Sequence, residues 1–270
     1  MAEPIACTVA MLTFNNADTL DRALKSVRDV AEVIIADGGS TDATVAIAEI
    51  HGRTVVAQSA SHQDRAGRLV DFGAAREQLR LLATQPWVMQ LDSDEYASEE
   101  LIADLRRVCT ETGDTNLYRI QAHYEYRGKP VARATTYPMS FPRLYRRSAS
   151  SGYQGATHER AIVSGPEEVL NSGFVIPFPE MRVVIRKWSR YLRLDLAEAR
   201  QLENASLAKA CAKRRSQLRW FGRDMWIKRI QDREGLGLPI RFEFARGVFY
   251  ILRYAVFKSE VIRRHMRRFL

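Results

Sequence analysis

The chain of 270 residues is 46% hydrophobic and 27% charged, which excludes a disordered, collagen-like or coiled-coil protein and leaves one large domain, or one domain with an appendage. At this length a chain buries roughly 70–75% of its unfolded surface, so a core needs no staple; the dispersed Cys7, Cys109 and Cys211 form neither a zinc ribbon nor a disulfide framework and fit a reducing, cytosolic setting. The net charge of +9 sums two unlike parts: residues 1–117 carry 10 Lys and Arg against 19 Asp and Glu, net −9, and residues 118–270 carry 31 against 13, net +18.

In chain order, residues 5–13 (IACTVAMLT) form an apolar run of strand length, and 17–28 has helical spacing through Leu20, Leu24 and Val27. Residues 33–36 (VIIA) read as a second strand. Asp42 then reads as the N-cap of a helix through Val45, Ile47 and Ile50, followed by a third strand over 53–58. A helix over 72–84 leads to a fourth strand, 87–91 (WVMQL). The next helix starts at Ser98 and has Glu99 and Glu100 in its first turn, where the helix dipole favours acids. Strands alternating with helices predict an α/β fold with a mostly parallel sheet, whose ligands gather at the carboxyl ends of the strands.

Beyond Gly113 the pattern changes. Residues 117–126, 131–137 and 140–146 read as strands joined by turns at 127–130 and 137–138, which predicts a small antiparallel extension. From Met181 onward the chain is helical and rich in Arg, with 235–239 as a linker. The start, Met1-Ala2-Glu3-Pro4, lacks the basic segment and long apolar run of a cleavable leader. The apolar stretch 247–257 is interrupted by Arg253 and is far short of the ~20 residues a membrane span needs.

Two acidic clusters follow predicted strands. In Asp37-Gly38-Gly39-Ser40-Thr41-Asp42 a carboxylate precedes two glycines, which let a ligand approach the backbone, and a helix whose free N–H groups face that ligand. A plain turn and cap account for 39–42 as well. In Asp92-Ser93-Asp94-Glu95 three carboxylates within four residues repel one another unless a cation or a donor network is present. Mg²⁺ or Mn²⁺ suits such oxygens and keeps positions open for diphosphate. An exposed acidic loop capping the next helix is the alternative.

The ordered set of Thr13-Phe14-Asn15-Asn16, Asp37-Gly38-Gly39-Ser40-Thr41-Asp42-Ala43-Thr44, Asp71-Phe72-Gly73-Ala74-Ala75-Arg76 and Leu91-Asp92-Ser93-Asp94-Glu95 resembles family 2 glycosyltransferases of the GT-A fold. Within that family it is most similar to the lipooligosaccharide core β-1,4-glucosyltransferase-like subgroup. The resemblance implies a Rossmann-like, mostly parallel sheet flanked by helices, with 1–180 as the nucleotide-sugar-binding and catalytic domain and 181–270 as a basic helical region. It implies that Thr13 and Asp37 lie against the nucleotide base, Arg76 near the nucleotide or its phosphates, and Asp92 near the ribose or sugar. Asp94 would meet the divalent metal on the diphosphate. One departure is Gly38, where many members carry a second aspartate.

A transferase also needs a base for the acceptor hydroxyl. Related enzymes carry a His-Glu pair after an Arg-Leu-aromatic-Arg-Arg segment, and here Arg143-Leu144-Tyr145-Arg146-Arg147 precedes Thr157-His158-Glu159. Glu159 is the candidate base, provided burial lifts its pKa toward neutrality, and Glu95 is the other candidate. Pairing of Glu159 with Arg160 or Arg143 is the structural alternative. His158 is a candidate metal or phosphate contact. Arg143, Arg146, Arg147 and Arg160 can clamp phosphate or an anionic acceptor. A carboxylate opposite the leaving group implies inversion, again through the family likeness.

From Arg246 onward, Val248, Ile251, Leu252, Ala255, Ile262, Met266 and Phe269 share one helical stripe, and Arg246, Arg253, Arg264 and Arg268 fall opposite with Tyr250 and Phe257. Either the stripe packs on the protein and leaves the arginines wet, or the helix lies in an anionic headgroup layer. The implied partners are a nucleotide-sugar donor, a glycan or glycolipid acceptor and an anionic membrane at the cytosolic face. The Arg and aromatic mixture also suits nucleic acid, but no nucleic-acid module is present; a catalytically inactive sugar-nucleotide binder is the remaining alternative.

Overall fold

The computed structural model describes residues 3–63, 69–132, 139–156, 159–231 and 237–266. Its elements are β1 (Ile5–Thr13), α1 (Ala17–Ser26), β2 (Val30–Asp37), α2 (Thr44–Ile50), β3 (Thr54–Ala57), α3 (Phe72–Leu82), β4 (Trp87–Gln90), β5 (Tyr96–Ala97) and α4 (Glu99–Val108). There follow β6 (Leu117–Tyr126), β7 (Lys129–Val131), β8 (Met139–Arg146), β9 (Ser150–Gln154), β10 (Arg160–Val163), β11 (Glu167–Pro177), α5 (Met181–Gln201), α6 (Asn204–Gln231) and α7 (Ile240–Met266). They divide into two compact units, residues 1–123 with 139–177, and residues 124–138 with 178–270.

The fold is α/β. Among the described residues one sheet runs β3-β2-β1-β4-β8-β6-β11-β5, with β7 on β6, and a second sheet pairs β10 with β9. The strands β3, β2, β1 and β4 are mutually parallel. At β4 the direction changes: β8 joins it antiparallel, and β6 joins β8 the same way. The antiparallel strands thus continue the parallel sheet; only β9 and β10 stand apart. Of the expected strand 131–137, residues 133–137 lie outside the described residues, as do the turn position 138 and the linker positions 235 and 236.

The central strand β1 is a nearly continuous apolar run because helices cover both faces of a parallel sheet. Strand alternation sends Ile5, Cys7, Val9 and Met11 into one core with Leu20 and Leu24 of α1 and Leu101 and Leu105 of α4. It sends Ala10 and Leu12 into another core with Ala75 and Leu79 of α3. Each fully buried leucine contributes about 1.5–3 kcal/mol of transfer energy.

Helix caps match the sequence in part. Ser98 Oγ accepts the Leu101 N–H at 3.2 Å at the start of α4, and Asp71 accepts that of Ala74 at 2.9 Å at the start of α3. Asp42 differs from its expected role: α2 starts one residue later, and the carboxylate accepts from Thr44 N at 3.0 Å and also from Ala17 N at 3.1 Å, where α1 begins. Strands β11 and β5 have no clear sequence signal. In β11 the alternation is broken by Asn171-Ser172-Gly173, and Gly173 is needed because a Cβ there would stand 2.4 Å from Gln121 O.

The second unit contains α5, α6 and α7. Along α7, Phe242, Phe249 and Phe257 are buried, spaced about two turns apart, with Glu243 and Glu260 also inward. This reverses the packing option for this helix. Val248, Ile251, Leu252, Ile262 and Met266 lie on the solvent side, 39–55% exposed, whereas the stripe residue Phe269 and its opposite Arg268 lie outside the described residues. The arginines that turn inward have acceptors. Arg253 Nη2 donates to Asp195 at 2.8 Å, and Arg214 Nη2 donates to the same carboxylate at 3.0 Å. Arg264 donates to the carbonyls of Ala199, Arg200 and Leu202 at 2.6–3.1 Å, the last turn of α5, where the helix dipole favours a cation.

Two stability predictions follow for this helical unit. Asp195 is 3% exposed beneath two guanidiniums, so Asp195→Asn leaves them uncompensated and should cost about 2–4 kcal/mol in urea denaturation, below the full buried-pair penalty because both arginines keep some solvent. Hydrogen bonds from Arg263 and Arg264 pull the Glu260 carboxyl down from 4.5 to about 2. Its contribution is therefore present above about pH 4.5 and is lost as pH falls toward 2. The stability gap between the wild type and Glu260→Gln should close across that window.

Candidate functional site

Parallel strands deliver their carboxyl ends to one edge. Thr13 pairs in register with Asp37, Asp37 with Ala57, and Ala10 with Gln90, so the residues that follow β1, β2 and β4 meet there. The sheet's chain order diverges at β1, which lies between β2 and β4, and a ligand crevice forms at such a point.

Asp37 is 9% exposed and shapes its own loop. Its Oδ2 accepts the N–H groups of Gly39 at 2.9 Å and Ser40 at 2.8 Å, and Oδ1 takes the Ser40 hydroxyl. Gly39 has a φ of +89°, which a side chain disfavours. Gly38 is crowded, since a Cβ would lie 3.2 Å from Gln58 Oε1 and 3.3 Å from Phe14. The Gly38 departure thus goes together with Phe14 and Gln58. Thr13 is 3% exposed and donates to Asn16 Oδ1 at 3.3 Å. Asn16 Oδ1 also accepts from Ser93 Oγ at 2.9 Å, tying the β1 loop to the acidic loop.

In the second cluster the three carboxylates have three different environments. Asp92 lies between two guanidiniums: Arg76, 4% exposed on α3, forms a short charge-assisted contact with Oδ1, and Arg143 Nη2 lies 3.4 Å from Oδ2. Burial opposes its charge, but Arg143 and then Arg76 outweigh burial and hold the carboxyl well below the usual range. Glu95 is 6% exposed, accepts the Asp92 N–H at 3.1 Å and meets Arg143 at 3.2 Å. Burial pushes its carboxyl up to about 7, against the pull of Arg143. Asp94 is exposed. The mutual repulsion expected of the cluster is thus relieved for Asp92 and Glu95 by a donor network.

Glu159 comes to the same place. It is 19% exposed and Oε1 stands 3.5 Å from Arg76 Nε, a buried nitrogen with no hydrogen-bond partner. Among the ion pairs of the described residues Glu159 meets Arg76, and not the Arg160 or Arg143 of the structural alternative. His158 and Thr157 lie outside the described residues. The four arginines considered for phosphate binding separate. Arg143 holds the carboxylates, whereas Arg146 donates to the carbonyls of Thr115 and Gly113 and stacks 4.5 Å over Trp87, Arg147 donates to Gln85 O, and Arg160 is exposed on β10.

Sequence reasoning missed the support beneath this cluster. Tyr153 OH meets Gln90 Nε2 and lies 3.0 Å from Tyr145 OH, and burial pushes both phenols up, so they remain protonated. The available signal was Gln90, a polar residue inside the apolar run WVMQL.

Among the described residues no three His, Cys, Asp or Glu side chains come together as a cage. One exposed carboxylate, Asp94, beside an Asp92 already neutralised by arginines, suits a hard cation whose remaining positions are filled by diphosphate oxygens and water.

The chain belongs to glycosyl transferase family 2, whose family model matches residues 8–164. Among curated proteins it is 25% identical over 172 residues to an uncharacterized glycosyltransferase of Rickettsia bellii, covering 62% of this chain and 55% of that one. It is 35% identical over 96 residues to glycosyltransferase AglJ of Haloferax volcanii (35% and 29%), and 39% identical over 100 residues to a TPR repeat-containing protein of Synechococcus elongatus (37% and 23%). The chain thus spans about half or less of these relatives' length. Among solved structures it is similar to S. aureus TarS bound to UDP, with TM-score 0.46 and 17% identity over 74% of this chain and 68% of that one. It is also similar to glucosyl-3-phosphoglycerate synthase of Mycobacterium tuberculosis with Mn²⁺, UDP and phosphoglyceric acid, with TM-score 0.45 and 18% identity over 66% and 72%.

The start of α3 is pressed against the loop that leads to Glu159: Phe72 N donates to Ala156 O at 2.8 Å, and a Cβ on Gly73 would stand 2.3 Å from Gly155 O. Gly73→Ala must displace that backbone. The expected cost is about 1–3 kcal/mol, with faster amide exchange at Phe72 as the local readout.

Proposed function

We propose that this protein transfers a hexose, glucose being the first to test, from a nucleotide diphosphate sugar such as a UDP-sugar to a hydroxyl of a lipid-linked, lipopolysaccharide or lipooligosaccharide core-type glycan, with inversion. The observation that carries the reading is the Arg76–Asp92–Arg143–Glu95 cluster at the carboxyl end of β4 in a family 2 chain, with Asp94 exposed beside it. Breaking the sugar–phosphate bond places charge on the leaving diphosphate, and the site's task is to stabilise that charge.

Thr13, Asp37, Arg76 and Asp92 are assigned to the donor. The Asp37 loop offers its backbone to the base. Asp92, held ionised by Arg76 and Arg143, accepts from ribose or sugar hydroxyls. Asp94 and His158 are the residues assigned to hold a divalent metal, which when bound neutralises charge on the diphosphate.

Glu159 is the proposed base. It is more accessible than Glu95, 19% against 6% exposed, and would take the acceptor hydroxyl's proton. Glu95 is the second reading, favoured by a carboxyl pushed up to about 7; against it, the side chain is 6% exposed and engaged by Arg143.

Three variants decide these roles. Asp94→Ala should abolish metal-dependent hydrolysis or transfer of UDP-sugars; unchanged metal-dependent UDP binding would overturn its assignment. Glu159→Gln should lower kcat about 10²–10⁴-fold with the donor KM little changed. If Glu95→Gln gives that kcat loss and Glu159→Gln does not, the base is Glu95. A thermal-shift screen of nucleotide sugars with and without Mn²⁺ identifies the donor, since a ligand of the folded state raises its stability.

A further inference from the structure

The solvent face of α7 carries two apolar patches, one from Ile240 to Leu252 and one at Ile262 and Met266. Ile240, Phe244, Val248, Ile251, Ile262 and Met266 are 39–72% exposed, and at 100° per residue they fall within about a quarter-turn of one another. Single exposed apolar residues are ordinary, but six on one arc of a 27-residue helix, interrupted by Ala255 and Lys258 between Ile251 and Ile262, mark an interaction surface. No helix among the described residues is long and apolar enough to cross a membrane.

Charge identifies what covers the stripe. Residues 124–138 and 178–270 contain 26 Lys and Arg against 10 Asp and Glu, net +16, while the rest of the chain contains 15 against 22, net −7. Lys258 is exposed within the stripe's arc and Arg241 beside it, and Arg182, Arg186, Lys187 and Arg190 are exposed on α5. A second copy of this unit would bring +16 against +16, which opposes self-association through this face. An anionic bilayer satisfies both features: its acyl boundary takes the apolar side chains, and its headgroups take the lysines and arginines. Near the stripe's C-terminal end, Lys258 and His265 share a groove of about 430 Å³ with Leu207, Val261 and Met266, combining cationic and apolar walls as a lipid headgroup and its first methylenes require.

We propose that α7 lies flat on an anionic lipid bilayer, with Phe244 and Ile251 inserted below the headgroups. This binding is independent of the transfer reaction. The test is co-flotation of the full chain with vesicles of phosphatidylcholine, alone or mixed with phosphatidylglycerol. Wild type should float with the mixed vesicles at low salt, and more weakly in high salt. Phe244→Glu combined with Ile251→Glu should lower the partition coefficient about tenfold or more. Both side chains face solvent, so circular dichroism and Tm should be unchanged. Asp94→Ala should float like wild type, which separates failure of this proposal from failure of the donor-site assignment. Equal binding of wild type and double variant, equal flotation with neutral vesicles, or no flotation together with a wild-type dimer that the double variant dissolves would each overturn the proposal.

Discussion

The Asp92 carboxylate between Arg76 and Arg143 is the interaction on which the rest of the site depends. A buried guanidinium is costly without a partner, and Arg76 is 4% exposed. One carboxylate therefore satisfies cations from α3 and β8 at the end of β4, tying the consecutive α3 and β4 to a strand some fifty residues further along the chain. Arg143 then reaches Glu95, and Arg76 reaches toward Glu159. Asp94, in the same loop, is exposed. Neighbouring carboxylates thus acquire different ionisation behaviour from their surroundings alone, one depressed by arginines and one raised by burial.

The helical unit follows the same rule with a different outcome. Arg214 and Arg253 share Asp195, and Arg264 meets the carbonyls that end α5. Inward arginines are therefore structural, and they let a helix turn its charged side to the protein and its aliphatic side outward. Amphipathicity alone does not say which side packs. Here the buried phenylalanines and available acceptors outweigh the aliphatic stripe.

The legibility of the chain varied by element. Strand β1 matches its apolar run residue for residue, α3 and β4 lie within two residues of their expected bounds, and α4 starts directly after its expected cap Ser98, because periodicity and caps are local. The strands β5 and β11 were not legible: a two-residue strand has no pattern, and β11 has its alternation broken where Gly173 lets β6 approach. Asp37, Asp92 and Glu95 were legible as acids at strand ends. The use of Arg143 as the counterion of Asp92 and Glu95 was not, since the antiparallel pairing of β8 with β4 brings it there. The Tyr153–Tyr145–Gln90 support was hidden for the same reason.

The sequence by itself determined the α/β class, the parallel strands and the acidic loops at their carboxyl ends, because strand alternation, capping chemistry and glycine placement act within a few residues. Only the tertiary structure decided which carboxylate is neutralised, which is buried and which faces out, and which side of α7 meets solvent. Those outcomes depend on counterions and acceptors supplied by residues some fifty positions away along the chain, as in the pairs Asp92–Arg143 and Asp195–Arg253.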